Sequence, residues 1–199
     1  IERKTFFLKS YEKDRMSFLL NNSKKSNILI DIGAHIGFYS ILTSEYFKQV
    51  YSFEPNFRNY QKLLKNIKQN KLERKIRTFN YGLGEKQQKI KGISASKGEL
   101  IQTSGFSISK NNKTGEDVLI IKGDDTIKLV NKDITIKIDV EGYEYNVLKG
   151  LEATLNNNNC FIQIEIWDKN LQDVLGFLNG LNYQKLITID GDTFFSKSG

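Results

Sequence analysis

Ile28-Leu29-Ile30-Asp31-Ile32-Gly33-Ala34-His35-Ile36-Gly37 is the stretch from which the fold of this 199-residue chain can be read. A short apolar run between polar Asn27 and a glycine has the composition of a strand buried on both faces, with Asp31 near its carboxyl end. Gly33 lets the backbone turn sharply and approach a ligand with no Cβ in the way. Gly37 then opens a run in which Phe38, Ile41, Leu42 and Tyr46 share one helical face. Strand, glycine turn and helix together make a nucleotide-binding βα unit.

The glycine spacing limits what such a turn can hold. A dinucleotide fingerprint counted from Gly33 needs glycines where this chain has His35 and Phe38, which argues against NAD or FAD. The charges point elsewhere. Asp31 can accept from a cationic amine, and a helix N-terminus beside it favours a carboxylate, a pair of charges that an amino-acid moiety carries. About twenty residues on, a second strand over residues 49–53 ends in Glu54 and Pro55, where a carboxylate is placed to accept from both hydroxyls of a ribose. Asp31 and Glu54 together indicate S-adenosylmethionine.

With 39% hydrophobic residues and this length, the chain forms one domain with a sizeable core. A single cysteine, Cys160, excludes an intrachain disulfide and a cysteine-built metal cluster, so a reducing cytoplasm is the expected compartment. Neither a membrane-length apolar run nor a signal-peptide pattern is present. The chain begins at Ile1 and not Met, which leaves open a leader or further segment ahead of it. Its formal net charge of +7 is concentrated: residues 57–77 hold eight basic side chains against Glu73, while the remaining 22 basic and 22 acidic residues cancel. That segment reads as a helix burying Tyr60, Leu63, Leu64 and Ile67 with its lysines in solvent, so nucleic acid is not the expected partner.

Residues 1–26 hold a helix with Tyr11, Arg15, Phe18 and Leu19 on one side, packed on the sheet or closing over the cofactor. Residues 76–81 alternate as a third strand and end at a Gly82-Leu83-Gly84 turn suited to passing close to a flat ring such as adenine. Residues 85–117 change character, with Gly, Ser, Lys and Asn interleaved through β-like pieces at 89–93 and 100–108, and read as a substrate-side insertion. Another strand follows at 117–121, then Asp124 and Asp125 before a short amphipathic turn.

The second decisive stretch is Ile134-Thr135-Ile136-Lys137-Ile138-Asp139-Val140-Glu141-Gly142-Tyr143-Glu144. It again delivers an acid at the end of a β-branched strand, ahead of a helix that turns Val147, Leu148, Leu151 and Leu155 inward. Carboxyl ends of neighbouring strands line one crevice in an open α/β sheet, so Asp139 is expected to share a pocket with Asp31. Glu141 is a site candidate, and Glu144 reads as a capping charge at the helix start. A buried strand over 160–166 leads into Glu165-Ile166-Trp167-Asp168. The next helix buries Leu171, Val174, Leu175 and Leu178 and closes at Gly180. A hairpin of residues 183–189 and 193–195 turns at Asp190-Gly191-Asp192.

Four motifs, Asp-Ile-Gly-Ala-His-Ile-Gly (31–37), Ser-Phe-Glu-Pro-Asn (52–56), Gly-Leu-Gly-Glu (82–85) and Lys-Ile-Asp-Val-Glu-Gly-Tyr-Glu (137–144), resemble in order and spacing the FkbM family of S-adenosylmethionine-dependent methyltransferases. The likeness runs from about residue 27 to 185, and the last motif narrows it from class I methyltransferases in general to this family. The resemblance implies a class I, Rossmann-like α/β domain over 27–199, with helices on both faces of a seven-stranded sheet and a C-terminal antiparallel hairpin. It also implies methyl transfer to a hydroxyl of a sugar, glycolipid or other small molecule. By position Asp31, Gly33, His35, Gly37, Glu54, Asp139 and Glu141 would hold the cofactor, with Tyr81 and Gly82 near adenine. His35 departs from the family's usual Asn, and Gly123 from a usual leucine.

Methyl transfer from a sulfonium is an in-line displacement, so positioning supplies most of the gain, and an alcohol also needs a base within reach. Asp139 is the first candidate for that base and Glu165 the second; His35, in the glycine turn, suits a cofactor-backbone role. Asp139, Glu165 and Asp168 could hold a cation but equally form an acidic crevice, and no metal is assigned. Base methylation is disfavoured, because the only proline follows Glu54 and Cys160 follows Asn159. The alternatives are an RNA ribose methyltransferase tracking phosphates with residues 57–77, and a non-catalytic module with a relic pocket.

Overall fold

The computed structural model describes residues 12–94, 106–109 and 115–197. Its principal sheet has seven strands in the order β10-β11-β9-β8-β1-β2-β3. These are β1 (Ile28–Ile32), β2 (Gln49–Phe53), β3 (Ile76–Phe79), β8 (Asp133–Ile138), β9 (Asn159–Glu165), β10 (Tyr183–Ile189) and β11 (Asp192–Lys197). Only β11 runs antiparallel to the rest, paired with β9 on one side and β10 on the other. This is the seven-stranded order with one reversed strand that the resemblance implies, and the terminal hairpin supplies that strand. The hairpin turns on Asp190 and Gly191, both at positive φ, the backbone that a two-residue turn between twisted strands requires.

Period-two alternation gives each strand two different coats. Ile30, Ile32, Ile134, Ile136, Ile138, Ile162 and Ile164 share one core with α5 (Glu144–Gly150), α6 (Glu152–Asn157) and α7 (Leu171–Gly180). Leu29 and Val50, on the opposite face, pack against Ile41 of α2 (Phe38–Leu42) and Leu63 and Ile67 of α3 (Phe57–Gln69). Farther along that face, Phe161 and Phe194 meet Met16 and Leu19 of α1 (Lys13–Asn22). The N-terminal helix thus packs on the sheet, while Tyr11 lies outside the described residues.

A second sheet of four strands, order β4-β7-β5-β6, stands against the first core. It comprises β4 (Gly82–Gly84), β5 (Gln88–Ser94), β6 (Phe106–Ser109) and β7 (Glu116–Lys122). Gly82-Leu83-Gly84 is therefore a strand and not the expected turn. Its side-chain-poor backbone lets Ile120 and Tyr143 close over it: a Cβ on Gly84 would stand 2.8 Å from Ile120 and 3.1 Å from Tyr143. Of the expected 100–108 piece, residues 106–108 fall in β6, while 100–105 lie outside the described residues.

Other boundaries shift for local reasons. The basic helix stops at Gln69, and Lys71 takes a positive φ before β3 begins. Leu64 and Tyr46, expected to face inward, are exposed. The helix after β8 is broken at Leu151 into α5 and α6, although its four expected core residues are all buried. Gly180 lies inside α7, and Asn182 provides the positive φ beyond it. Gly123 opens α4 (Gly123–Thr126), where a Cβ would strike Leu151; Asp124 caps α6 by accepting from Ala153 and Thr154 amides.

Candidate active site

Register builds the site. Ser52, Asp31, Lys137 and Gln163 are partners across β2, β1, β8 and β9, and their side chains therefore share one face of the sheet. One step nearer the carboxyl edge, past the Ile138 and Ile164 pair, the same face carries Asp139 and Glu165, with Asp192 opposite Glu165 on β11. A cavity of about 460 Å³ opens above these rows, within the usual range for small-molecule sites.

Of the sequence candidates, Asp31, Gly33, His35, Glu54, Gly82, Asp139, Glu141 and Glu165 line that cavity. Gly37 and Tyr81 do not. Gly37 caps α2 at φ +92°, and a Cβ there would meet Leu63 at 2.6 Å. Tyr81 tilts against Phe53 and Phe79, and its hydroxyl lies 3.5 Å from that of Thr126. Gly33 lines the cavity, but its missing Cβ makes room for protein and not ligand: the Asp139 carbonyl would be 1.8 Å away. None of the described residues of 85–117 lines the cavity.

Asp31 is buried. One carboxylate oxygen, Oδ2, accepts from the Ser40 amide at 3.1 Å and from its hydroxyl at 2.5 Å, and Ser40 also meets Ser52. The other, Oδ1, has no hydrogen-bond partner among the described residues. Burial pushes the Asp31 carboxyl up, against the pull of Lys137 and the Ser40 hydroxyl. Glu54 is 4% exposed, and its two oxygens accept one amide each, from His35 and Asn56, both at 2.8 Å. Burial raises it to about 7 in spite of those bonds. His35 sits at φ +51°, anchored by that amide, and burial lowers its imidazole.

The turn itself is not an anion cradle. Gly33 and Ala34 amides both donate to the Phe53 carbonyl, His35 donates to Glu54, and Gly37 donates to Ala34. In a pyrophosphate loop those N–H groups face the ligand. The residues present instead fit S-adenosylmethionine. Orphaned Asp31 Oδ1 awaits a donor, each Glu54 oxygen keeps an acceptor lone pair, and Ile32, Ile36, Phe38 and Leu83 supply apolar wall.

The acidic end is asymmetric. Lys137, buried in mid-strand, holds its ammonium 2.9 Å from Asp139 Oδ2 and 4.6 Å from the centre of the Tyr39 ring. Asp139 stays ionised: burial opposes the charge, but Lys137 and a hydrogen bond with Glu165 hold it below the usual carboxylate range. Glu165 goes the other way, to about 7, through burial and then the charges of Asp139, Asp192 and Glu141. Glu141, at φ +53°, is likewise raised by burial and by Asp139. Asp168 does not line the cavity, and among the described residues no three acidic, histidine or cysteine side chains form a metal-holding group.

Several wall residues carry no local signal in the sequence. Tyr39 donates to Glu12 and accepts from Gln163, which also donates to Asp192. Arg15 of α1 bonds Glu12 at 2.8 Å and approaches Asp192 at 3.4 Å. Glu12 and Arg15 reach the cavity, so α1 both covers the sheet and closes one side of the site. Lys137 was visible as a lone charge in a β-branched strand, which marks a buried partner.

The profile of the methyltransferase FkbM domain matches residues 31–185. The hexuronic acid methyltransferase AglP of Haloferax volcanii is 30% identical over 161 residues, which take in 78% of this chain and 62% of that protein. The chain thus spans less than two thirds of that relative's length. Among solved structures, methyltransferase FkbM from Methylobacillus flagellatus superposes with a TM-score of 0.60 at 21% identity, over 86% of this chain and 43% of that one. An rRNA methylase from Streptococcus thermophilus does so with a TM-score of 0.55 at 14% identity, over 95% of each. At these identities the structural likeness is one of fold.

Proposed function

The chain belongs to the FkbM methyltransferase family, and from that premise we propose that it uses S-adenosylmethionine to O-methylate a hydroxyl of a sugar, with acidic sugars the first class to test because one relative is named for a hexuronic acid. The observation that carries this reading is the joint placement of Asp31, Glu54 and Glu165 on one cavity wall. Glu54 offers two fixed oxygens to the ribose hydroxyls, and Asp31 Oδ1 accepts from the amino group. When bound, the cofactor supplies an electrophilic methyl on a sulfonium.

The base is Glu165 and not Asp139, reversing the order expected from position alone. A base for a sugar hydroxyl works best with a pKa near the working pH, and Glu165 lies at about 7. Asp139 spends its charge on Lys137. It positions Glu165 through their hydrogen bond and keeps the proton affinity of Glu165 high. Gly82 and Leu83 flank the expected adenine side in place of Tyr81. A cytoplasmic setting is our reading of the lone cysteine, which is buried and unpaired. Among the described residues no helix is long and apolar enough to cross a membrane.

Titration calorimetry with S-adenosylhomocysteine and with NAD tests the cofactor, and labelled-methyl transfer to sugar acids and neutral sugars tests the acceptor. Binding of the adenosyl ligand alone, weakened in Glu54→Ala, is expected; binding of NAD in its place overturns the assignment.

A further inference from the structure

Immediately beyond Glu165 the chain opens a second, shallower cleft of about 420 Å³, lined by Ile166, Trp167, Asp168 and Lys169. Trp167 is the chain's single tryptophan and is 40% exposed. Burying a large apolar side chain is worth roughly 2–3 kcal/mol, and part of that stabilisation is forgone here beside the candidate base.

Close contacts and hydrogen bonds join the cleft to the neighbouring turn. Gly142 has φ +97°, and a Cβ there would stand 2.7 Å from Lys169 Nζ and 3.3 Å from Trp167 Cε3. Trp167 and Lys169 therefore rest on bare backbone, next to Glu141 of the main cavity. Asn170 Nδ2 donates to the Gly142 carbonyl at 3.0 Å and to Glu144 Oε2 at 2.5 Å, while Glu144 Oε1 accepts from the Gly142 amide. Glu144 is wholly buried. Its role is to clamp these two turns together, beyond the capping charge that its position suggested.

The chemistry of the cleft suits a sugar. An indole offers a flat apolar surface for the C–H face of a pyranose while its rim stays wet. Asp168 is an exposed acceptor for ring hydroxyls. Lys169 holds its ammonium 4.9 Å from the centre of the indole ring and joins no ion pair among the described residues. The neighbouring wall carries Asp139, Glu141 and Glu165, while its cations Lys137 and Arg15 are already paired with carboxylates, so an anionic sugar would meet repulsion there and attraction at Lys169.

We infer that Trp167, Asp168 and Lys169 form an acceptor subsite for a pyranose bearing a carboxylate: the ring stacks on Trp167, the carboxylate meets Lys169, and a hydroxyl is directed toward Glu165. The inference rests on the methyl-transfer reading and gives its acidic-sugar acceptor a place and named contacts.

Because Trp167 is the sole indole, intrinsic fluorescence reports this cleft alone. The whole chain, saturated with S-adenosylhomocysteine as verified by calorimetry, is titrated with methyl β-glucuronide and with methyl β-glucoside. A saturable emission change is expected with the glucuronide, with affinity roughly tenfold above the glucoside. Lys169→Gln should remove that preference, and Trp167→Ala, followed calorimetrically, should abolish sugar binding with adenosyl affinity unchanged. Both positions are exposed, so folding is checked by thermal melts. A silent indole in protein that binds S-adenosylhomocysteine overturns the subsite alone, as does a Lys169→Gln variant that keeps its glucuronide preference. Failure to bind S-adenosylhomocysteine removes the methyl-transfer reading and this one with it.

Discussion

Replacing Lys137 with methionine tests the polar row at its centre. The lysine side chain is 6% exposed and that of Asp139 is 37% exposed. Removing one partner of a fully buried pair costs about 3–5 kcal/mol, chiefly by stranding the other charge. Since Asp139 reaches solvent and Met restores most of the apolar volume, we expect about 2–3 kcal/mol at pH 8. For a chain of this size that is a fall in Tm of roughly 5–10 °C. The sign with pH follows from Asp139. In the parent its folded pKa is depressed, so it contributes stability above the unfolded value that is lost as pH falls through the folded one. In Lys137→Met burial loses its main counterweight, with only Glu165 and Arg15 left to oppose it, and that pKa rises, so the deficit is full at pH 8 and shrinks toward pH 4, where Asp139 and Asp31 take up protons. Urea denaturation of both proteins at pH 4.5 and pH 8 measures it. A deficit equal at both values, or below about 0.5 kcal/mol at pH 8, would refute the account of Lys137 as the countercharge of the row.

Glu165→Gln should lower kcat by roughly 10²–10⁴-fold and flatten a pH–rate limb that otherwise rises through about 7; Asp139→Asn should keep a limb but move it to lower pH, because the charge that raises Glu165 is gone, with a smaller loss of rate, whereas loss of the limb only in Asp139→Asn would reverse the assignment. Glu54, raised from 4.5 to about 7, contributes stability that is full below its unfolded pKa and is lost as pH rises through 7, by about 3 kcal/mol. Denaturation midpoints between pH 4.5 and 8 should therefore fall less steeply in Glu54→Ala, and equal slopes would contradict this. Gly33→Ala, with its Cβ 1.8 Å from the Asp139 carbonyl, should cost more than about 4 kcal/mol and show no cooperative melt. Gly176→Ala, in α7 with open space around it, should instead stabilise by about 0.5–1 kcal/mol, raising Tm.

How much could be read in advance depends on how far apart the interacting residues lie along the chain. Asp31, Glu54, Asp139 and Glu165 each end an apolar run, and a parallel sheet delivers such ends to one edge, so their meeting was legible. Gly82–Gly84 was misread because three residues, two of them glycine, have no periodicity to show a strand. The resemblance put Tyr81 near adenine by position, but alternation turns its ring away from the cavity, onto Phe79. Gly33 and Gly37 were legible as positive-φ positions; that each makes room for another part of the protein needs the packing of β8 and α3. Arg15, Tyr39 and Asp192 converge only through the sheet order, 177 positions separating the first from the last. The Lys137–Asp139 pair, two residues apart on one strand face, was within reach of the sequence, but the proposed preference for Glu165 was not, because the charges of Asp139, Asp192 and Glu141 that raise it come together only through the sheet order.

That register also divides the work between the two ends of the site. Asp31, Glu54, Glu141, Glu165 and Asp192 all have raised proton affinities, because burial and mutual repulsion outweigh the help of the buried cation Lys137. A cavity with an excess of carboxyl groups stabilises a cationic guest and resists an anionic one. A sulfonium with an ammonium meets that excess favourably. An acidic sugar does not, and its carboxylate is excluded from the interior by the same charges. In the proposed subsite the acceptor's carboxylate stays outside, at Lys169, and only a hydroxyl reaches toward Glu165. The exposed indole, seated on Gly142, lies where the proposed subsite would have the sugar stop.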